Sequence, residues 1–300
     1  KQGHKGRSFK KVVTPAALRS MVTHLKEGFQ LSERWACTIV GLCRNSYRYQ
    51  AKPKNDEEIR SRLRELAEQR RKFGAPRLHT LLRREGRLIN HKRTERLYRE
   101  EGLSLRLKKR RKRISHLRVV MDRPERINQH WSMDFVSDSL YNGRRFRVLT
   151  VVDDLSRECP VLEVDHSLTG KRVTRTLDRI ALIRGLPEVI TVDNGPEFIS
   201  KALDLWAFEN NVKLRFIQPG KPTQNAYIES FNGKFRDECL NDNVFVSLNS
   251  AQKIIEIWRK DYNSERPHSS LNKLTPKEFA ARFKEQKTEI TNLKLVHSMG

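Results

Sequence analysis

The sequence predicts an α/β protein in which a mixed sheet with flanking helices follows small all-α modules. Three observations carry that expectation. From Pro124 onward, apolar strand-like runs and helical periods follow one another in the order βββαβαβα. Residues 14–104 carry helical periods alone. The positive charge is concentrated on the helical side: residues 1–130 hold 36 Lys/Arg against 13 Asp/Glu, and residues 131–300 hold 25 against 23.

The helical side divides in two. Thr14 to Glu27 has a helical period, with Pro15 in the first turn and Gly28 as the stop. Ser32 to Tyr49 reads as a helix, a tight turn near Gly41, and a short second helix that presents Arg44, Asn45, Ser46, Tyr47 and Arg48. That spacing resembles a helix-turn-helix, and a plain helical hairpin fits the same residues. From Asp56, the apolar positions Ile59, Leu63 and Leu66 give a helix, Pro76 opens another that Gly86 closes, and His91 to Glu100 gives a third bearing Lys92, Arg93, Arg96 and Arg99. An arginine-rich last helix fits a small DNA-binding bundle, and a charged self-association arm is the alternative for residues 56–72.

The strands follow. Trp131–Val136, Phe146–Val152 and Val161–Val164 are strand-like, with turn signals at Asn142-Gly143 and Asp153-Asp154. Residues 171–184 read as a helix, Val189–Val192 as a fourth strand, Phe198–Asn210 as a helix and Val212–Ile217 as a fifth strand. The helix containing Glu229 and a long amphipathic one from about Ser247 to Tyr262 complete the order, which is that of the ribonuclease H fold. The expected domains are therefore 1–52 (helix-turn-helix-like), 53–104 (a second helical module), 105–124 (basic linker), 125–285 (ribonuclease H-like core with its C-terminal helices) and 286–300 (tail).

The formal net charge of +25 in 300 residues points to a polyanionic partner. Its densest run, Arg106, Lys108, Lys109, Arg110, Arg111, Lys112 and Arg113, is too concentrated to be paired internally and would meet DNA phosphates. No run approaches the roughly 20 apolar residues of a membrane span, and no apolar signal segment opens the chain, so a cytoplasmic, nucleoid-associated protein with no membrane partner is expected. Cys37, Cys43, Cys159 and Cys239 lack C-x-x-C spacing, which argues for ordinary buried thiols and no zinc. The chain begins at Lys1 without an initiator Met, which fits a fragment, a processed product or the distal part of a longer translation product alike.

The chemistry comes from three carboxylates. Asp134 interrupts an apolar strand between Met133 and Phe135, an expensive place for a charge without a task. Asp193 ends the fourth strand, where a turn role is equally natural. Glu229 shares a helical stripe with Asn225, Asn232 and Arg236, opposite the apolar Tyr227, Ile228, Phe231 and Phe235. Carboxylates are the ligands a hard divalent ion prefers, and two such ions roughly 3.5–4 Å apart can activate an attacking oxygen and stabilise a leaving one. The site therefore suits phosphodiester cleavage and transfer.

Thirty-five residues separate Asp193 from Glu229, and Arg236 follows the glutamate by seven. This set resembles the D-D-35-E signature of retroviral-integrase-like transposases. The words around it, WSMDF at 131–135, VDNGPEF at 192–198 and GKPTQNAYIESFNGKFRDECL at 220–240, are similar to those of OrfB-type transposases of the insertion-sequence-three family. FGAPRL at 73–78, NHKRTERLYREEGL at 90–103 and RPHSSL at 266–271 extend the likeness from about residue 12 to about 283.

The resemblance implies a transposase that cuts and joins DNA at insertion-sequence ends. Asp134, Asp193 and Glu229 would be both catalytic and metal ligands for two Mg²⁺ ions, with Mn²⁺ able to substitute. It further implies double-stranded terminal inverted repeats and then target DNA as partners, a homo-oligomer of two or more on that DNA, and a product of an upstream frame joined to this one. Arg77, Lys221, Asn225 and Arg236 join Arg44, Asn45, Arg48, Lys92, Arg93, Arg96 and the basic run as DNA-contacting candidates. Asn194, Glu197, Asn232 and His268 are candidates for support around the carboxylates, and Gln224 for either role. Two other functions fit the same residues: a nuclease that cuts without joining, and a DNA-binding regulator without catalysis.

Overall fold

The computed structural model describes residues 14–50, 56–105, 124–218 and 222–286. Contacts divide the chain into two units, one ending at Glu58 and one beginning at Ile59. The first holds α1 (Pro15–Phe29), α2 (Glu33–Val40) and α3 (Arg44–Arg48). Thr14 caps α1 by accepting from Ala17 N at 3.3 Å, and Pro15 occupies the first turn. The helix passes through Gly28, the expected stop, and ends at Gln30 in the left-handed region (φ 53°). Ser32 caps α2, and Gly41 (φ 71°) ends it as expected. Val22, Ala36 and Cys37 form the small core of these three helices.

The second unit opens with α4 (Glu57–Gln69), α5 (Ala75–Arg84) and α6 (His91–Glu100). Their core is Leu63, Leu66, Phe73, Leu78, Leu82, Leu97 and Tyr98. The expected positions Ile59, Leu63 and Leu66 thus do face inward. These helices and the sheet that follows fall within the one contact unit that begins at Ile59. The basic run 106–113 and Lys221 lie outside the described residues.

That core is a five-stranded sheet in the order β3-β2-β1-β4-β5, built from β1 (His130–Ser139), β2 (Arg145–Asp153), β3 (Val161–Asp165), β4 (Val189–Val192) and β5 (Lys213–Phe216). β1, β2 and β3 pair antiparallel, while β4 is parallel to both β1 and β5, so the sheet is mixed. Both faces are covered. Trp131, Met133, Leu149 and Val151 pack against α7 (Gly170–Arg184) and α8 (Lys201–Glu209). Val136, Val148, Val152 and Val164 pack against α9 (Ala226–Phe235) and α10 (Leu248–Ser264). This alternation is the period-2 pattern of a two-sided sheet. α7 and α8 start side by side: a Cβ on Gly170 would stand 2.3 Å from Ser200 Oγ, so no larger residue fits there.

Two elements escaped the sequence. α9 does not stop at Phe235 but continues through a π-turn, Arg236–Leu240. A last helix runs from 276 to 286. Thr275 Oγ1 accepts from Glu278 N at 3.1 Å and Glu278 Oε2 accepts from Thr275 N at 2.7 Å, a capping box whose T-x-x-E spacing was present in the sequence. Among the described residues no helix is long and apolar enough to cross a membrane. Cys37, Cys159 and Cys239 are buried as expected, whereas Cys43 is exposed at the start of a short helix.

Candidate active site

The sheet itself brings two of the carboxylates together. β1 and β4 pair in parallel as far as Ser132 opposite Thr191, so Asp134 and Asp193 each follow the last pair by two residues, and Asp193 is near enough for its charge to act on Asp134. Gly195 N–H donates to Asp193 Oδ1 at 3.0 Å, which fixes the turn after β4. α9 lies over β1 and β2, at the centre of the sheet. Its polar stripe runs along β1: Asn225 Nδ2 donates to Met133 O at 3.5 Å, Asn232 Nδ2 to Asp134 Oδ2 at 2.7 Å, and Arg236 Nη2 to Ser137 O at 3.2 Å. Glu229 belongs to that stripe and is exposed.

Burial pushes the Asp134 carboxyl up to about 6, and the nearby charges of Asp193 and Glu229 push the same way. The Phe135 N–H and the Asn232 amide oppose them only in part. The three carboxylates therefore feel one another. Among the described residues, however, no three His, Cys, Asp or Glu side chains close on a single ion-sized point.

The donors around Asp134 fit a hard cation. Asn225 and Asn232 each leave a buried amide oxygen without a partner, one beside Met133 and one beside Asp134. Unpaired buried oxygens next to clustered carboxylates are what a hydrated divalent cation would satisfy.

Several expected residues take other places. Asn225 is buried and ties the start of α9 to β1, so it does not face DNA. His268 is buried edge-on to Tyr262 (4.8 Å between ring centres) with Arg266 Nη1 3.5 Å away, so it belongs to the core under α9 and not to the carboxylates. Burial, and then Arg266, Lys234, Arg77 and Arg157, push its imidazole down to about 2. Arg77 donates to Glu238 at 3.1 Å, an internal use instead of a phosphate contact.

Asn194 is exposed and braces the turn by donating to Ile217 O at 3.0 Å. Gln224 Oε1 accepts from Gln218 N at 2.8 Å, a brace between β5 and α9. Glu197 pairs with Arg147, whose guanidinium lies 4.4 Å from the Phe135 ring centre. Arg147 went unnoticed in the sequence, although a charge in the buried alternation of β2 is a signal of that kind. Of the other candidates for DNA contact, Arg44, Asn45 and Lys92 are exposed, Arg48 bonds Glu33 at 2.8 Å and Arg96 bonds Glu100 at 2.8 Å.

Comparison with known proteins assigns the class. Family models described as integrase core domain match residues 124–222 and 210–276, and one described as HTH-like domain matches residues 54–113. The HTH-like match thus falls on the second helical module and not on residues 32–49. The chain resembles one protomer of the simian T-cell lymphotropic virus intasome, solved by cryo-EM with the PP2A regulatory subunit B56 gamma, at TM-score 0.50 and 16% identity over 73% of this chain and 74% of that one. With a sheet of this order, the fold and the match define an integrase-core polynucleotidyl transferase of the DDE type.

Relatives narrow it further. The chain is 52% identical to the insertion element IS407 uncharacterized 31.7 kDa protein of Burkholderia multivorans, over 87% of this chain and 94% of that protein. It is 26% identical to the putative transposase InsK for insertion sequence element IS150 of Escherichia coli K12, over 76% and 85%. The chain belongs to the insertion-sequence-three family of transposases, which mediate DNA transposition and integration.

Proposed function

We propose that Asp134, Asp193 and Glu229 are the catalytic carboxylates and hold two Mg²⁺ ions, for which Mn²⁺ can substitute, during cleavage and strand transfer at the ends of the element. The observation that carries this is the register of β1 on β4, which sets Asp134 beside Asp193 under the polar stripe that bears Glu229. Bound divalent ions supply Lewis-acid activation of the attacking oxygen and stabilisation of the leaving one. The protein's own residues do the rest. Asn232 and the Phe135 N–H each hold one oxygen of Asp134 at 2.7 Å, so the carboxylate arrives pre-oriented. Arg236, anchored on Ser137 O, extends the same stripe as a cation for the DNA backbone. Water first attacks a phosphodiester at the element end, and the 3′-OH so released attacks a second phosphodiester and displaces its 3′-oxygen, which joins the element's ends before the joined element inserts into a target.

Double-stranded terminal repeats are the first DNA partner and target DNA the second, with the chain acting as a dimer or higher homo-oligomer where the nucleoid is. α3 (Arg44, Asn45, Arg48), α6 (Lys92, Arg93, Arg96), the run 106–113 and Lys221 supply phosphate contacts, whose affinity falls steeply with salt.

The test uses an end-bearing duplex. Asp134→Asn, Asp193→Asn and Glu229→Gln should each lower Mg²⁺-dependent cleavage by at least about 1000-fold with duplex affinity retained. A labelled 3′-OH end incubated with target duplex should give products longer than the substrate. Undiminished cleavage by any variant removes that residue from the mechanism, and cleavage without longer products makes the enzyme a nuclease.

A further inference from the structure

The helix that presents Glu229 ends in a cluster that none of this chemistry uses. Glu238, in the π-turn that continues α9, accepts from Arg266 Nε at 2.7 Å and from Arg266 Nη2 at 2.6 Å. Arg266 is 2% exposed, the most deeply buried cation of the described residues, and its guanidinium lies 5.6 Å from the Tyr262 ring centre. A third bond reaches Glu238 from another module: Arg77 of α5 donates to it at 3.1 Å. Phe73, just before α5, completes the cluster, with the Arg77 and Arg266 guanidiniums 5.1 and 5.9 Å from its ring centre. FGAPRL, RDECL and RPHSSL, three separate words of the sequence, therefore meet at one carboxylate.

We propose that Arg77, Arg266 and Glu238 form a clamp through which the α4–α6 module positions α9, and with it Glu229, for the transfer reaction. The proposal rests on the reading of Glu229 as catalytic only for its effect on rate. Its physical basis is independent of that. A π-turn is a rare interruption of a helix, and such turns are frequent at functional sites. Glu238 sits in that turn, and a bidentate arginine is among the strong, geometrically fixed partners a carboxylate can have. Arg266 comes from the loop after α10, so the grip joins α9 to the core. Arg77 comes from outside the sheet domain, so the same carboxylate also records whether the helical module is seated.

Other pairs seat that module without touching α9. Arg70 bonds Asp261 of α10 at 2.6 Å, and Arg84 bonds Glu278 of the last helix at 2.7 Å. They provide the control. Arg70 also lies 5.8 Å from the Phe73 ring centre but makes no bond to Glu238, so it controls for the ring contact as well as for seating. The Arg77 side chain is 34% exposed, so its truncation leaves the fold standing, whereas loss of Glu238 would strand the buried Arg266.

The experiment compares Arg77→Met with Arg70→Met in the full chain. Hydrogen exchange of the α9 amides, 228–235, should accelerate at least about tenfold in Arg77→Met and stay within about twofold of wild type in Arg70→Met. Single-turnover cleavage of an end duplex should fall at least about tenfold in Arg77→Met, with duplex affinity within about twofold. Unchanged α9 exchange in Arg77→Met, or equal acceleration in both variants, overturns the clamp whether or not the protein cleaves DNA. So does a fall in duplex affinity at unchanged rate, which would make Arg77 a DNA contact. A wild type that cuts nothing leaves the exchange result to decide the clamp, and tells against the catalytic reading alone.

Discussion

Two places on one sheet carry aspartates in apolar surroundings, and they are built in opposite ways. Asp153 faces Trp131 at the start of β1, and Asp134 lies three residues further along that strand, about 10 Å away. Asp153 is completely buried and saturated. Its Oδ1 accepts from Leu155 N, Ser156 N and Ser156 Oγ at 3.1, 2.7 and 2.8 Å, and its Oδ2 accepts from Asn128 N at 2.8 Å with Arg184 3.5 Å away. Asp134 is half-buried and receives two bonds, against the push of two more carboxylates. The difference separates a carboxylate that holds the fold from one that the fold holds in readiness. A structural aspartate is surrounded by donors, while a reactive one is left with charge to be neutralised.

The comparison breaks first on stability. Asp153→Asn turns an NH₂ toward groups that already donate and leaves Arg184 short of a partner, so unfolding in denaturant should cost about 3 kcal/mol less. Asp134→Asn should leave stability unchanged or raise it by about 1 kcal/mol, because it removes a like charge from beside Asp193 and Glu229. Equal losses in the two variants would erase the distinction.

Much of this was legible before any coordinates. The element order gave the sheet, and Asp134 stood out because an aspartate between Met133 and Phe135 has no cheap explanation. Asp153 and Asp154 read only as a turn signal, since nothing local tells a turn aspartate from one whose partners, Asn128 and Arg184, lie 25 and 31 positions away in sequence. Asn225 and His268 were misplaced for a related reason: helical spacing fixes which stripe a residue occupies, but not which neighbour covers it. Charge misled most of all. Arg77 was read as a DNA contact, yet the structure pairs it with Glu238, just as it pairs its neighbours Arg70 and Arg84, part of the same N-terminal excess of charge, with Asp261 and Glu278. A density of arginine measures attraction for anions, and a protein supplies some of those anions itself.

pH sharpens the contrast next. Burial pushes Asp154, beside Asp153, up to about 7. A carboxyl whose folded value is raised binds its proton more tightly in the native state. Its stabilising contribution is complete below the ordinary carboxylate range near pH 4 and is lost as pH rises through about 7. Asp134, at about 6, has the same sign. Thermal melts from pH 4.5 to 7.5 should therefore show Asp154→Asn gaining on wild type by a few degrees as pH rises. A gap between the two curves that stays constant with pH would mean that Asp154 is already ionised across that range.

The smallest effect concerns a single hydroxyl. Ser132 Oγ donates to Asp154 Oδ1 at 2.7 Å, and Ser132 lies on the face of β1 that also carries Asp134 two residues on. This bond favours the charged form of Asp154, so its removal acts in two ways. Ser132→Ala should cost about 1 kcal/mol at pH 8 and above, where the carboxylate is the form that loses its donor. Near pH 5 the neutral carboxyl needs that donor less, and the cost should shrink. The wild-type and Ser132→Ala stabilities should therefore converge on acidification. Parallel curves for Ser132→Ala would show that the hydroxyl serves packing alone, and that Asp154 takes its protonation state from burial without help from β1.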